Sequence, residues 1–229
     1  MLPSESPFPC HWWGFGLEIA GLKDVRPDIG TYGRYEFDRL PPVPFEMRGD
    51  FTWLVSAPAR RDSIGRRFAA ETATSMKLLR ASANQLGLPL PDPFTKFMET
   101  PALQERIRSN TDCYLDLCPE LISSPIGGGW LVHFLADSQG CLFWYLYLTA
   151  NGSNHAVVSS PDLYSTPYEE GEEWEDEEPN PAKIVFCAES FEAFLCRFWL
   201  ENEIWFAAAK NAPMPPGGRE YVEGYRAQK

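Results

Sequence analysis

Helices and hairpin-connected strands in one chain, an α+β pattern, are what this sequence predicts, and two observations carry the prediction. Aromatic and β-branched runs at residues 130–136, 142–148 and 155–159 are separated by short polar turns, as successive strands of an antiparallel sheet are. Stretches at 63–86 and from Ser190 onward instead space their apolar residues three and four apart, the helical period.

Taken in order, residues 1–50 are rich in Pro, Gly and aromatics, from His11, Trp12 and Trp13 to Pro41, Pro42 and Pro44. Prolines forbid long helices there, which leaves extended segments, turns and one or two edge strands. Residues 51–56, with Phe51, Trp53 and Val55, read as a strand. A long helix is expected over 63–86, capped by Asp62 or Ser63 and stopped by Gly87 and Pro89. Its buried stripe is Ile64, Phe68, Met76, Leu79, Ala83 and Leu86, and Arg60, Arg61, Arg66, Arg67, Lys77 and Arg80 lie in or beside it. Asp92 and Pro93 open a short helix carrying Phe94, Phe97 and Met98, and Thr100-Pro101 opens another through about Ser109. Residues 113–117 are a strand and 124–129 a loop.

Two strands, 130–136 and 142–149, are joined by a hairpin connection, and a turn around Asn151-Gly152 leads into the third at 155–159. Both faces of residues 143–148 are apolar or aromatic, which predicts a central strand covered on both sides. Residues 183–187 form the last strand. The final helix takes Ser190 as its N-cap, Glu192 in its first turn, and Phe191, Phe194, Leu195 and Phe198 as its buried face. The domain boundaries follow: an extended elaboration over 1–60 packed on the main domain, the main domain over 61–212, and a surface-bound tail over 213–229 pinned by Tyr221 and Tyr225.

A chain of 229 residues buries a sizeable core without staples. Its six cysteines form no CxxC pair, and Cys141, Cys187 and Cys196 stand among apolar residues, where a free thiol behaves as a small hydrophobe. A reducing, cytoplasmic setting is expected from that usage. The first residues lack the charged and apolar regions of a signal peptide. The longest apolar run, 141–148, is too short to span a bilayer as a helix, so no membrane association is expected. The net charge is −12, of which eight carboxylates at residues 169–178 supply −8. That disfavours a nucleic-acid partner, which needs a basic footprint, and favours a basic protein.

Catalytic motifs fare poorly. Gly127, Gly128 and Gly129 lead into a strand rather than a helix N-terminus, so they read as a loop and not a phosphate cradle. Cys141, His133 and Asp137 flank one hairpin and offer a thiol, a base and an orienting acid, the basis of a remote thiol-enzyme reading. The histidines His11, His133 and His155 are scattered without ligand spacing, so neither a metal nor any other cofactor is expected. The acid tract has two readings. It is a solvated loop that keeps the chain soluble, or a docking strip whose Trp174 is an interface anchor among carboxylates. The candidate contact residues are Tyr164, Tyr168, Glu169, Glu170, Glu172, Glu173, Trp174, Glu175, Asp176, Glu177 and Glu178.

The stretch from Leu88 through Pro89, Pro91, Asp92, Pro93 and Phe94, with Phe97, is followed by Trp144-Tyr145-Leu146-Tyr147-Leu148 and an acidic spacer. With the Glu189-Ser190-Phe191-Glu192 helix start and Phe194-Leu195, this order resembles the SUKH superfamily over residues 86–206. The resemblance implies a twisted, mainly antiparallel sheet flanked by helices and a non-catalytic role. Bacterial members are often immunity proteins that neutralise a toxin by binding it, and fungal members resemble regulators of cell-wall synthesis. The expectation is therefore a protein-binding module, most concretely an immunity-type inhibitor of a basic toxin domain such as a nuclease. The alternative is a regulatory or scaffold protein with a housekeeping partner. Oligomeric state is left open.

Overall fold

The computed structural model describes residues 1–164 and 178–227. It is an α+β fold built on a six-stranded antiparallel sheet. The strands are β1 (His11–Gly14), β2 (Gly33–Glu36), β3 (Tyr114–Leu115), β4 (Ile122–Ser123), β5 (Trp130–Ala136), β6 (Phe143–Leu148), β7 (His155–Ser160) and β8 (Val185–Ala188). The helices are α1 (Ala69–Gln85), α2 (Asp92–Met98), α3 (Pro101–Gln104), α4 (Phe191–Ala209) and α5 (Gly218–Arg226). The main sheet runs β3-β5-β6-β7-β8 with β4 also on β5, while β1 and β2 form a separate ribbon.

Alternation along β6 sets the two faces of the sheet. Trp144, Leu146 and Leu148 enter the main core, whereas Tyr145 and Tyr147 join a second cluster on the opposite side. The central strand is thus covered on both faces, as its composition predicts. On the main face Phe134 meets Phe191 and Phe194 of α4 at centroid separations of 5.2 and 5.7 Å. The register irregularity between His133 and Leu135 lets Phe134 and Leu135 both reach that core. The second face is closed by the N-terminal segment: Phe8 stands edge-on to Tyr147 and Phe37 to Phe186.

Helix α4 is the hub. Ser190 caps it, its Oγ accepting from the backbone N–H of Ala193 at 3.1 Å, and nearly every side chain to Ile204 is buried. Such a helix must satisfy its polar residues internally. The Glu192 carboxylate accepts from the N–H groups of Gly49 and Phe51 and from Trp53 Nε1. That of Glu201 accepts from Trp12 Nε1, Arg26 and the Tyr221 hydroxyl. Asn202 accepts from Asn110 N, and Glu203 accepts from Arg60 and Arg108. Four polar side chains of one helix therefore gather four separate stretches of chain.

Several elements differ from expectation. Residues 51–56 are not a strand: Thr52–Leu54 is a single 3₁₀ turn. The Glu192 carboxylate draws the local N–H groups inward, and Phe51 takes the left-handed conformation at φ 61°. The long helix starts at Ala69 rather than Ser63. Ser63 forms an isolated bridge with Arg108, and the Ile64 backbone pairs at long range, its N–H donating to Ile107 O and its carbonyl accepting from Leu115 N–H. A Cβ on Gly65 would lie 2.5 Å from that of Gln104, so a larger residue has no room at this junction. Leu86, placed on the buried stripe, is half exposed. Helix α3 ends at Gln104 instead of continuing to Ser109, because residues 105–108 run beside 60–64. The tail contains α5, with Tyr221 and Tyr225 each 1% exposed against the Arg26–Glu201 pair.

Candidate functional site

Of the eleven residues proposed as partner contacts, Tyr164 and Glu178 are described. Tyr168, Glu169, Glu170, Glu172, Glu173, Trp174, Glu175, Asp176 and Glu177 lie outside the described residues. What the structure does define is the stem from which the acid tract departs, at the connection from β7 to β8.

That stem is tied across its base. Asp162 stands just past the end of β7, and its carboxylate accepts from Asn180 N–H at 2.8 Å and from Lys183 Nζ at 2.9 Å. The two ends of the connection are thereby held together by charge-assisted bonds. Tyr145, projecting from the second face of β6, donates its hydroxyl proton to Asp162 O and accepts from Tyr164 N–H at 3.0 Å. Its ring meets the Tyr164 ring edge-on. Burial, then the nearby Asp162 charge, pushes the Tyr164 phenol up to about 12, so it stays neutral at physiological pH. Asn180 accepts from Ala182 N–H and starts the 3₁₀ turn Pro181–Lys183 that leads back into the sheet. Glu178 is exposed where the chain re-enters. Tyr145, Asp162, Asn180 and Lys183 were missed by sequence reasoning. The one usable signal was the alternation that sends Tyr145 to the face opposite Trp144.

The sheet edge beside this stem is closed. Phe186 N–H of β8 donates to Pro9 O at 2.8 Å, and Cys10 bridges Phe186 in parallel. A partner cannot add a strand there without displacing the N-terminal segment.

The hairpin group offers little to a thiol reaction. Cys141 is exposed in the turn rather than packed among apolar residues, because the strand it precedes begins at Phe143. Slight burial and the neighbouring Asp137 raise its pKa, which holds it as the thiol. His133 is 1% exposed between the rings of Phe143 and Tyr145, and burial lowers its pKa to about 4. Asp137 accepts from Gln139 N–H, from Cys141 N–H and from the Tyr32 hydroxyl, so it shapes the turn and anchors the N-terminal segment. The three glycines form a loop of left-handed residues whose Gly127 and Gly128 carbonyls accept from the Tyr147 hydroxyl.

Of the basic residues near α1, Arg60 pairs with Glu203, Arg80 pairs with Glu99, and Arg67 lies over the Tyr114 ring. Among the described residues no cluster of three or more His, Cys, Asp or Glu side chains could hold a metal ion. Nor is any described helix long and apolar enough to cross a membrane. Among the described residues the cysteines form no disulfide.

Comparison of the chain with protein families, with curated proteins and with solved structures returns no match. The fold class and the tied stem are what any functional reading has to start from.

Proposed function

We propose that this chain is a non-catalytic protein-binding module of SUKH type, acting as an immunity-type inhibitor of a basic toxin domain. The observation that carries the reading is the pairing of eight carboxylates at 169–178 with a stem cross-tied by Asp162, Asn180, Lys183 and Tyr145. A polyanion fixed at both ends loses less freedom on docking than a free tail, and it steers a cationic partner at long range. Its charge would occupy a surface that otherwise meets nucleic acid phosphates. The antiparallel sheet backed by helices fits the superfamily resemblance, and cysteines that form no disulfide among the described residues fit a reducing, cytoplasmic setting.

The experiment is co-purification of tagged protein from its host at low and at moderate salt, beside a variant with Gln and Asn across the tract. The expected result is a basic protein held by the wild type at low salt and lost from the variant. Equal recovery of the same partners by both would make the tract a solubility loop and sink the inhibitor reading.

A further inference from the structure

We propose that the groove at the C-terminal end of α4 is a binding site for a small organic anion, a carboxylate or phosphate carried on an apolar body. The groove is a cavity of about 340 Å³, within the range of small-molecule sites. It lies apart from the acid tract in sequence and draws on none of its residues.

Charge is the first argument. In a chain of net charge −12, this cavity is lined by Arg60, Arg108 and Lys210 against the single carboxylate of Glu203. Arg108 holds Glu203 through Nε at 2.8 Å and Nη2 at 2.9 Å, and Arg60 Nη2 adds a third bond at 2.9 Å. Lys210 stands at the C-cap of α4, where it offsets the helix's partial negative charge. One guanidinium charge is then left unneutralised.

Donors are the second argument. A guanidinium carries more N–H groups than Glu203 takes from either arginine. Among the described residues Arg60 Nε is buried without an acceptor, and so is the indole N–H of Trp199, a side chain only 3% exposed that lines the same cavity. Buried donors without acceptors are costly, and an anion bound in the groove would recruit the arginine's spare donors.

Shape is the third. Phe206 is covered by Arg108, whose Cζ sits 3.7 Å from the ring centroid. That stacking leaves the guanidinium flat and fixed, so it is ready to receive a planar anion. Pro213, Pro215 and Pro216 add stiff, apolar lining, which suits a hydrocarbon or aromatic body.

The test is heteronuclear NMR of the full chain, following the indole N–H and arginine Nε–H signals while benzoate, phenyl phosphate or inorganic phosphate is added. The Trp199 signal is assigned with Trp199→Phe. Benzoate or phenyl phosphate should move the Trp199 and Arg60 signals saturably, with inorganic phosphate far weaker. Arg60→Gln leaves the bidentate Arg108–Glu203 pair in place and should weaken binding about tenfold. Lys210→Ala, an exposed position that the fold tolerates, should weaken it less. Signals that stay still up to about 10 mM probe overturn the proposal. So does an equal response to inorganic phosphate, or an unchanged affinity in both variants.

Discussion

Arg26 and Glu201 are 0% and 1% exposed, 2.7 Å apart, and join residues 175 positions distant in sequence. Burial alone would raise the Glu201 carboxyl, but Arg26, its hydrogen bonds and Arg197 outweigh it and bring the group below its ordinary value. Removing one partner strands the other charge. Arg26→Met should therefore cost about 3–5 kcal/mol in urea unfolding, and adding Glu201→Met should recover part of that loss rather than deepen it. The second residue-scale consequence is acid sensitivity. Burial lowers His133 to about 4; burial, then the Met1 ammonium, lowers His155 to about 4 as well. A free histidine titrates near 6.5, so between about 6.5 and 4 the unfolded chain binds more protons. Their contribution is complete above about 6.5 and is lost as pH falls toward 4. For His133 the loss approaches about 3 kcal/mol. Asp116, whose Oδ2 lies 3.9 Å from His133 Nδ1, is raised by burial against the pull of Arg67 and so titrates in the opposing sense. Unfolding midpoints at pH 7 and pH 5 should differ in the wild type and differ less in His133→Phe.

Individual elements depend on caps and tethers that a sequence reveals unevenly. Ser190→Ala should cost about 1 kcal/mol by removing the acceptor for Ala193 N–H, measured by thermal or urea unfolding. This cap, the aromatic hairpins and the two-faced β6 were legible because each depends on residues within a few positions of itself. The start of α1 was not. Ser63 and Ile64 suit a helix by pattern, yet their backbone is hydrogen-bonded to Ile107 and Leu115, and nothing local announces that pairing. The turn at Thr52–Leu54 fails for the same reason, since the carboxylate that organises it is Glu192, far along the chain. Helix α5 was hidden by its two glycines and its short length, and the expected surface-bound tail instead buries Tyr221 and Tyr225, the two residues read as pinning it. At the candidate site the charge run was plain in the sequence. The cross-tie beneath it was not, because Asp162, Asn180 and Lys183 are ordinary surface residues until the fold apposes them.

At the scale of the whole molecule, the proposed association and the stability of the fold are separable by experiment. Among the described residues the main hydrophobic cluster is centred on the sheet and α4, and α4 ties it to the N-terminal segment and to α5. Neutralising the tract takes the formal net charge from −12 to −4 while leaving those described contacts in place. Less self-repulsion follows, so the melting temperature should hold or rise slightly at low salt. Association should behave oppositely. If the tract steers a cationic partner, the wild-type on-rate should fall steeply with added salt, and the neutralised variant should be slower with a flatter salt dependence. Breaking the stem by Asp162→Asn distinguishes display from charge alone, since the tract keeps all eight carboxylates but loses its cross-tie to Lys183. Weaker steady-state binding with a preserved salt slope would place the contribution in the stem. An affinity equal to wild type would show that the charge acts without it, and stopped-flow and equilibrium binding measured side by side separate the two.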